Sequence, residues 1–319
     1  MLRTAESVSP SHPDKIADRI SDAILDEALR QDPFSRVAVE TMGGHGIITV
    51  TGEMTTKAFV DVREVVRRIV GDKYGVQVNI VRQSPEISQG VDTGGAGDQG
   101  IMVGYACNAN RDLIPTEVFL SRSLCKSIFT KYPNDGKTQI TLDGNNIQTI
   151  VASFQNVERK ELEEEVMSWY MKNIEDNFNG NLFCNSAGDW QIGGFEADTG
   201  LTGRKLVIDN YGPEHTIGGG SFSGKDATKV DRSGAYMARK VAVDYLKKYD
   251  AKEVVTKLAY SIGVAEPVMA IAMVDGKEVA IEGYDLTPRG IIGLLGLTLP
   301  IFEPTACWGH FGNSFPWDK

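Results

Sequence analysis

Residues 36–52, RVAVETMGGHGIITVTG, decide the architecture. Apolar and polar side chains alternate from Arg36 to Met42. Gly43-Gly44-His45-Gly46 is a turn signal, and the chain resumes as a second strand at Ile47. The spacing then predicts a helix over about 58–71, with Phe59, Val62, Val66 and Ile69 facing inward. The order returns over 137–142, the turn 143–146, a strand over 147–154 and a helix over about 157–174, its inner face formed by Leu162, Val166, Trp169 and Tyr170. A third copy runs from Ala259 through a strand at 269–274, the turn Asp275-Gly276, a strand at 279–282 and a helix N-capped by Asp285. The copies share little sequence identity, so the repeat is one of structure. It predicts an α+β fold of three similar domains, each a β-sheet with helices packed on one face, over 1–90, 96–191 and 192–319.

Composition sets the limits. The chain has 319 residues, enough for two or three domains, and Lys+Arg 33 against Asp+Glu 43 gives a net charge of −10. An acidic body argues against nucleic acid or an anionic membrane as partner, because both need a basic face. Cys107, Cys125, Cys184 and Cys307 are scattered without a C-x-x-C pair, as reduced thiols of a cytosolic protein would be. The first residues, MLRTAESVSPSHPDK, contain no apolar signal core. The longest apolar run, 290–302, is broken by Gly293, Gly296 and Pro300 and reads as a buried helix. A soluble, cytoplasmic protein is expected.

The chemistry concentrates in residues 218–235, GGGSFSGKDATKVDRSGA. Glycines admit an anion to backbone N–H groups, Lys225 and Lys229 neutralise phosphate, and Asp226 and Asp231 are candidates for a divalent cation. A P-loop is the first alternative, since Gly219, Gly224 and Lys225 fit its start. Asp226, however, stands where the motif requires Ser or Thr, and no buried strand precedes it. A solvated surface loop is the plainer alternative. Ser11-His12-Pro13-Asp14 opens an amphipathic helix with Pro13 at its first position and His12 at the cap, where unpaired N–H groups attract an anion. Asp14 there either holds Mg2+ or only complements the helix dipole. Arg204 and Lys205 follow two glycines ahead of a predicted strand at 206–209, and Asn134-Asp135-Gly136-Lys137 is a turn entering a strand. Residues 95–100 spell GxGxxG, but outside a βαβ unit, so they read as lid or turn with Asp98 and Gln99 as ligand contacts.

Together these segments resemble the S-adenosylmethionine synthetase (methionine adenosyltransferase) family along nearly the whole chain. The stretches that carry the resemblance are ESVSPSHPDKIADRISDAILD, VTGEMTT, RQSPEISQGVD, GAGDQGIMVGYA, DGKTQITLDG, DTGLTGRKLVIDNYG, GGGSFSGKDATKVDRSGAYMAR, YSIGVAEP and the closing GHFG and FPW. The family's three pseudo-symmetric domains agree with the triple unit. The resemblance implies that ATP and L-methionine react, sulfur attacking C5′ and displacing a triphosphate that is then cleaved. It implies two Mg2+ per site, K+, and a homodimer with shared active sites, with a tetramer left open.

Carried over by position, His12, Lys137, Arg204 and Lys225 are the expected catalytic residues. Asp135, Asp189, Trp190, Asp198, Lys205 and Ser221 join them around ATP. Glu53, Gln83, Asp98, Asp198 and Lys229 surround methionine. Asp14 and Asp231 are the Mg2+ carboxylates and Glu40 the K+-associated acid. The family's active-site loop is shortened to Thr93-Gly94 between QGVD and GAGDQG, segments before Arg82 and Pro133 are trimmed, and the chain stops soon after Trp317. Asp189 replaces a basic neighbour of the aromatic adenine platform, which aligns with Trp190. A site more open to water is expected, or an altered assembly. A catalytically impaired ATP- and methionine-binding subunit of a full-length homologue is the competing expectation.

Overall fold

The computed structural model describes residues 1–83, 94–174 and 177–319. Residues 84–93, which include Thr93 of the shortened active-site loop, lie outside the described residues, as do residues 175 and 176. Among the described residues, three four-stranded sheets carry the fold. The first joins β2 (Arg36–Gly44), β3 (Ile47–Thr55), β4 (Gly75–Val81) and the two-residue β9 (Gly200–Leu201). The second joins β1 (Leu2–Val8), β6 (Gly136–Asp143), β7 (Asn146–Phe154) and β8 (Asn181–Cys184). The third joins β5 (Gly100–Cys107), β10 (Glu253–Tyr260), β11 (Met269–Val274) and β12 (Lys277–Ala280).

Each sheet borrows one strand from a distant stretch of chain, an earlier one for β1 and β5 and a later one for β9, and the loans close a ring. β1 pairs antiparallel with β6, from Leu2↔Asp143 to Val8↔Lys137. β5 pairs antiparallel with β10, from Gly100↔Tyr260 to Cys107↔Glu253. β9 closes the circle on β2 through Met42↔Leu201 and Gly43↔Gly200. The three units are therefore locked together by backbone hydrogen bonds as well as by packing.

One long and one shorter helix cover a single face of each sheet. These pairs are α1 (Pro13–Gln31) with α2 (Val62–Val70), α3 (Thr116–Lys131) with α4 (Arg159–Asn173), and α6 (Val230–Tyr249) with α7 (Pro288–Leu295). The short α5 (Leu206–Asp209) and α8 (Thr305–Trp308) lie between them in the chain. The α+β class, the three units and the one-sided helices are as the repeat predicts. Among the described residues, no helix is long and apolar enough to cross a membrane.

The hairpin turn at His45-Gly46 forms as expected, both residues at positive φ (51° and 91°), the twist a two-residue connection needs. Several local expectations are corrected. α2 starts at Val62 behind the cap Asp61, whose side chain accepts from Glu64 N, and Phe59 lies before it, 80 % exposed. Thr287, not Asp285, caps α7, because its hydroxyl accepts from Gly290 N while Asp285 accepts from Thr287. The run 290–302 is not one buried helix: Gly296 ends α7 in the left-handed region, and Leu294 and Leu299 are exposed. Residues 206–209 form a helical turn, not a strand. Lys225 and Lys229 both stand ahead of the long helix, since α6 begins at Val230 with Lys229 as its cap.

Candidate active site

α1 begins where β9 crosses it. A side chain at Gly200 would place its Cβ 2.2 Å from the Pro13 carbonyl carbon, so only glycine lets the strand settle on the helix start. His12 is the cap: its Nδ1 accepts from Asp14 N at 3.2 Å, and Pro13 takes the position that needs no N–H. An accepting Nδ1 puts the proton of the neutral ring on Nε2, which makes that nitrogen a donor. Burial, reinforced by the Lys205 charge, lowers the His12 pKa to about 3, with Asp14 opposing and Lys137 adding to the fall. The imidazole is therefore neutral at any ordinary pH.

Asp14 is buried beside it. Its Oδ1 accepts from Leu201 N at 2.9 Å, its Oδ2 binds the Lys205 ammonium, and Arg204 Nε stands 3.5 Å from Oδ1. Burial alone would raise this carboxyl, yet the Lys205 hydrogen bond and the Leu201 N–H hold it below its usual value. Lys137 sits at the β6 end paired with Val8, and its charge and that of Asp198 both act on His12. Asp135 accepts from Gly194 N at 2.9 Å. His12, Asp14, Asp135, Lys137, Asp198, Arg204 and Lys205 thus form one cluster at a helix N-terminus, where an anion is favoured.

The glycine-rich loop builds a second cluster. It is stitched to β2 by Val39 N→Gly224 O (3.1 Å) and Asp226 N→Val37 O (3.0 Å). Asp226 accepts from Val37 N at 2.7 Å and from the Thr228 N–H and hydroxyl, and it binds Lys229. It therefore fixes the loop, where a P-loop would need a Ser or Thr hydroxyl free for magnesium. Lys225 Nζ pairs with Asp231 Oδ2 at 2.8 Å. Gly220 lies against that carboxylate, since a Cβ there would meet Asp231 Cγ at 2.0 Å. Ser221 backs onto Gly203, so the two clusters adjoin. Among the described residues, no hydrogen bond or ion pair joins one cluster to the other.

Ala38 faces Glu53 in the β2–β3 register and makes an isolated bridge with Lys225, so Glu53 belongs with the second cluster. Glu40 lies two residues along on the same helix-free face, and Gln83 follows β4 with its Oε1 buried and, among the described residues, unpartnered. Trp190 also has a buried indole N–H without a partner among the described residues. Asp189 accepts from Arg159 N at 2.9 Å, at the first residue of α4. Asp98 is exposed and accepts from Gln99 N. Among the described residues there is no group of three or more acidic, His or Cys side chains able to hold a metal alone. Asp14 and Asp231, hard oxygen donors standing singly, suit a Mg2+ that takes its other ligands from phosphate and water. Glu40 offers one carboxylate opposite Thr51.

Sequence reading missed the residues behind the site. Lys15 is fully buried between Asp18 (3.0 Å) and Asp209 (2.6 Å). Arg232, fully buried, binds Asp22 through two bonds of 2.6 and 2.9 Å and also reaches Lys225 O at 3.1 Å. The available signal was the spacing: Asp14, Asp18, Asp22 and Asp26 recur every fourth residue in an otherwise buried helix.

Fold and site together define a three-unit α+β protein with cations and glycine-rich loops gathered about a helix N-terminus. Comparison with known proteins narrows this. Three family profiles match in order: the S-adenosylmethionine synthetase N-terminal domain over 1–85, central domain over 93–190 and C-terminal domain over 192–319. S-adenosylmethionine synthases from two strains of Staphylococcus epidermidis are 41 % identical, covering 100 % of this chain and 95 % of their own length. That match runs over 379 residues against 319 here, so the relatives carry internal segments this chain lacks. The chain belongs to the S-adenosylmethionine synthetase family, and with it to the methionine adenosyltransferases, transferases of S-adenosylmethionine biosynthesis.

Proposed function

We propose that the chain converts ATP, L-methionine and water to S-adenosyl-L-methionine, phosphate and diphosphate. The thioether sulfur uses a lone pair to form the S–C5′ bond as the C5′–O5′ bond breaks, and the triphosphate leaves with that electron pair. Water then cleaves the bound triphosphate. A thioether needs no general base, so catalysis lies in alignment and in stabilising charge on the leaving group. The Nε2–H of His12, with Lys137, Arg204 and Lys225, serves that charge. Lys205, Asp135, Ser221 and Asp198 complete the nucleotide contacts, with Trp190 and Asp189 toward the adenine. Glu53, Gln83, Asp98, Asp198 and Lys229 hold methionine. Asp14 and Asp231 would hold two Mg2+, which neutralise phosphate charge when bound, and Glu40 would hold K+.

The observation that carries this reading is the neutral His12 donor capping α1 beside Lys205 and Arg204. Because no hydrogen bond among one chain's described residues joins the two clusters, the assembly we favour is a C2 homodimer that sets the Lys225–Asp231 pair of one subunit against the His12 cluster of the other. The missing internal segments favour one second reading, an impaired ATP- and methionine-binding subunit of a full-length homologue. Incubating the folded chain with ATP, methionine, Mg2+ and K+ separates the two. The sulfonium product, seen by mass spectrometry, upholds the enzyme, and its absence from well-folded protein upholds the binding subunit.

A further inference from the structure

Asp14, Asp18, Asp22 and Asp26 form a ladder along α1, advancing about 40° around the helix at each step of four residues. They are 1 %, 1 %, 0 % and 3 % exposed, and buried carboxylates are costly unless each is paired and hydrogen-bonded. Each accepts a backbone N–H from a segment far away in sequence. Asp14 takes Leu201 N (2.9 Å), Asp18 takes Gly203 N (2.8 Å), Asp22 takes Gly224 N (2.8 Å), and Asp26 takes Phe302 N (3.0 Å) and Glu303 N (2.8 Å).

The choice of amides is informative. Gly203 immediately precedes Arg204-Lys205, and Gly224 immediately precedes Lys225. Lys15 compensates Asp18 and ties it to Asp209, beyond the first loop. Arg232 compensates Asp22 and grips the Lys225 carbonyl as well. Both cation-bearing loops are rich in glycine, so their register depends on such anchors: α1 for both, with β2 and Asp226 adding to the second. One helix therefore anchors both loops and carries His12 at its own start.

We propose that Asp18 and Asp22 are positioning residues: through the Gly203 and Gly224 amides they fix Arg204, Lys205 and Lys225 relative to α1. The proposal rests on the reading of these cations as phosphate ligands given above. Asp18 is the better test of the two, because removing it leaves Lys15 and Asp209 as a balanced pair, whereas Asp22 is the counter-charge of a buried arginine.

The experiment compares Asp18→Ala with Asp18→Asn in the full chain. Asparagine retains an oxygen for Gly203 N–H, and alanine does not. In Asp18→Ala we expect kcat/KM for ATP to fall about tenfold to a hundredfold, the loss that follows when a catalytic group is misplaced by about an ångström. The KM for methionine stays near wild type, and Asp18→Asn recovers most of the loss. Hydrogen exchange at 201–205, followed by mass spectrometry without substrates, accelerates in Asp18→Ala and not in Asp18→Asn. Wild-type kinetics in both variants, or equal damage in both with unchanged exchange, overturns the proposal. If the wild-type chain forms no sulfonium, the functional reading has failed, and the exchange comparison alone then decides the clamp: faster exchange in alanine upholds it and unchanged exchange overturns it.

Discussion

Replacing His12 separates its two roles. As the cap of α1 it accepts one backbone N–H, and loss of such a cap costs about 1 kcal/mol of stability. As a neutral donor toward the leaving triphosphate it acts like an oxyanion-hole group, whose removal costs about 3–4 kcal/mol, or roughly 10²–10³ in kcat. His12→Ala is therefore expected to lose both. Asparagine caps helices well, so His12→Asn keeps wild-type stability while kcat stays at least about tenfold down, because its amide is shorter than an imidazole. Folded His12 titrates at about 3 and an unfolded histidine near 6.5, so the folded state resists the proton. Its contribution to stability is complete above pH 6.5 and is lost progressively as pH falls toward 3, a slope that His12→Asn lacks. Single-turnover sulfonium formation and urea unfolding at several pH values measure these effects. A kcat for His12→Ala within about tenfold of wild type, less than ~1.4 kcal/mol, would refute the leaving-group role.

Three further outcomes are expected. Lys225→Ala removes a charged donor and leaves Asp231 without its partner, so kcat falls about a hundredfold, ~3 kcal/mol; a loss below about tenfold contradicts the role. Arg232→Met strands Asp22 as a buried, uncompensated carboxylate and costs about 3–5 kcal/mol in urea unfolding, while a cost under ~1 kcal/mol would mean the pair is idle. Burial raises Asp26 to about 6 against its Phe302 and Glu303 hydrogen bonds, so its ionised form burdens the fold above that pH and the burden lifts as pH falls toward 4. The stability of Asp26→Asn relative to wild type should therefore decline by up to about 3 kcal/mol between pH 8 and pH 4, at ~1.4 kcal/mol per pKa unit, and a flat difference would exclude the effect.

What the sequence revealed was local. The turns at His45-Gly46 and Asp275-Gly276, the strands beside them and the His12-Pro13 start of α1 are written in neighbouring residues, and each formed, although the strand expected at 279–282 runs instead over Lys277–Ala280. The ring of borrowed strands was illegible, because β1, β5 and β9 find partners more than ninety residues away and no adjacent residue encodes that choice. Phe59 was misassigned because apolar spacing ran past the true cap, Asp61, and a side chain left at 80 % exposure has no inner face to mark. Asp18 and Asp22 escaped notice for a different reason. An acid at every fourth position ordinarily means a solvated face, and only the fold shows loops arriving to cover these carboxylates.

The central claim is that sulfur and triphosphate change places on C5′ within this chain's own site. Rapid-quench turnover of the purified protein with ATP and methionine, counting sulfonium, diphosphate and phosphate together, tests it most directly. The account predicts the three products in equal amounts, all dependent on methionine. Phosphate released at the same rate without methionine, and no sulfonium beside it, would contradict it.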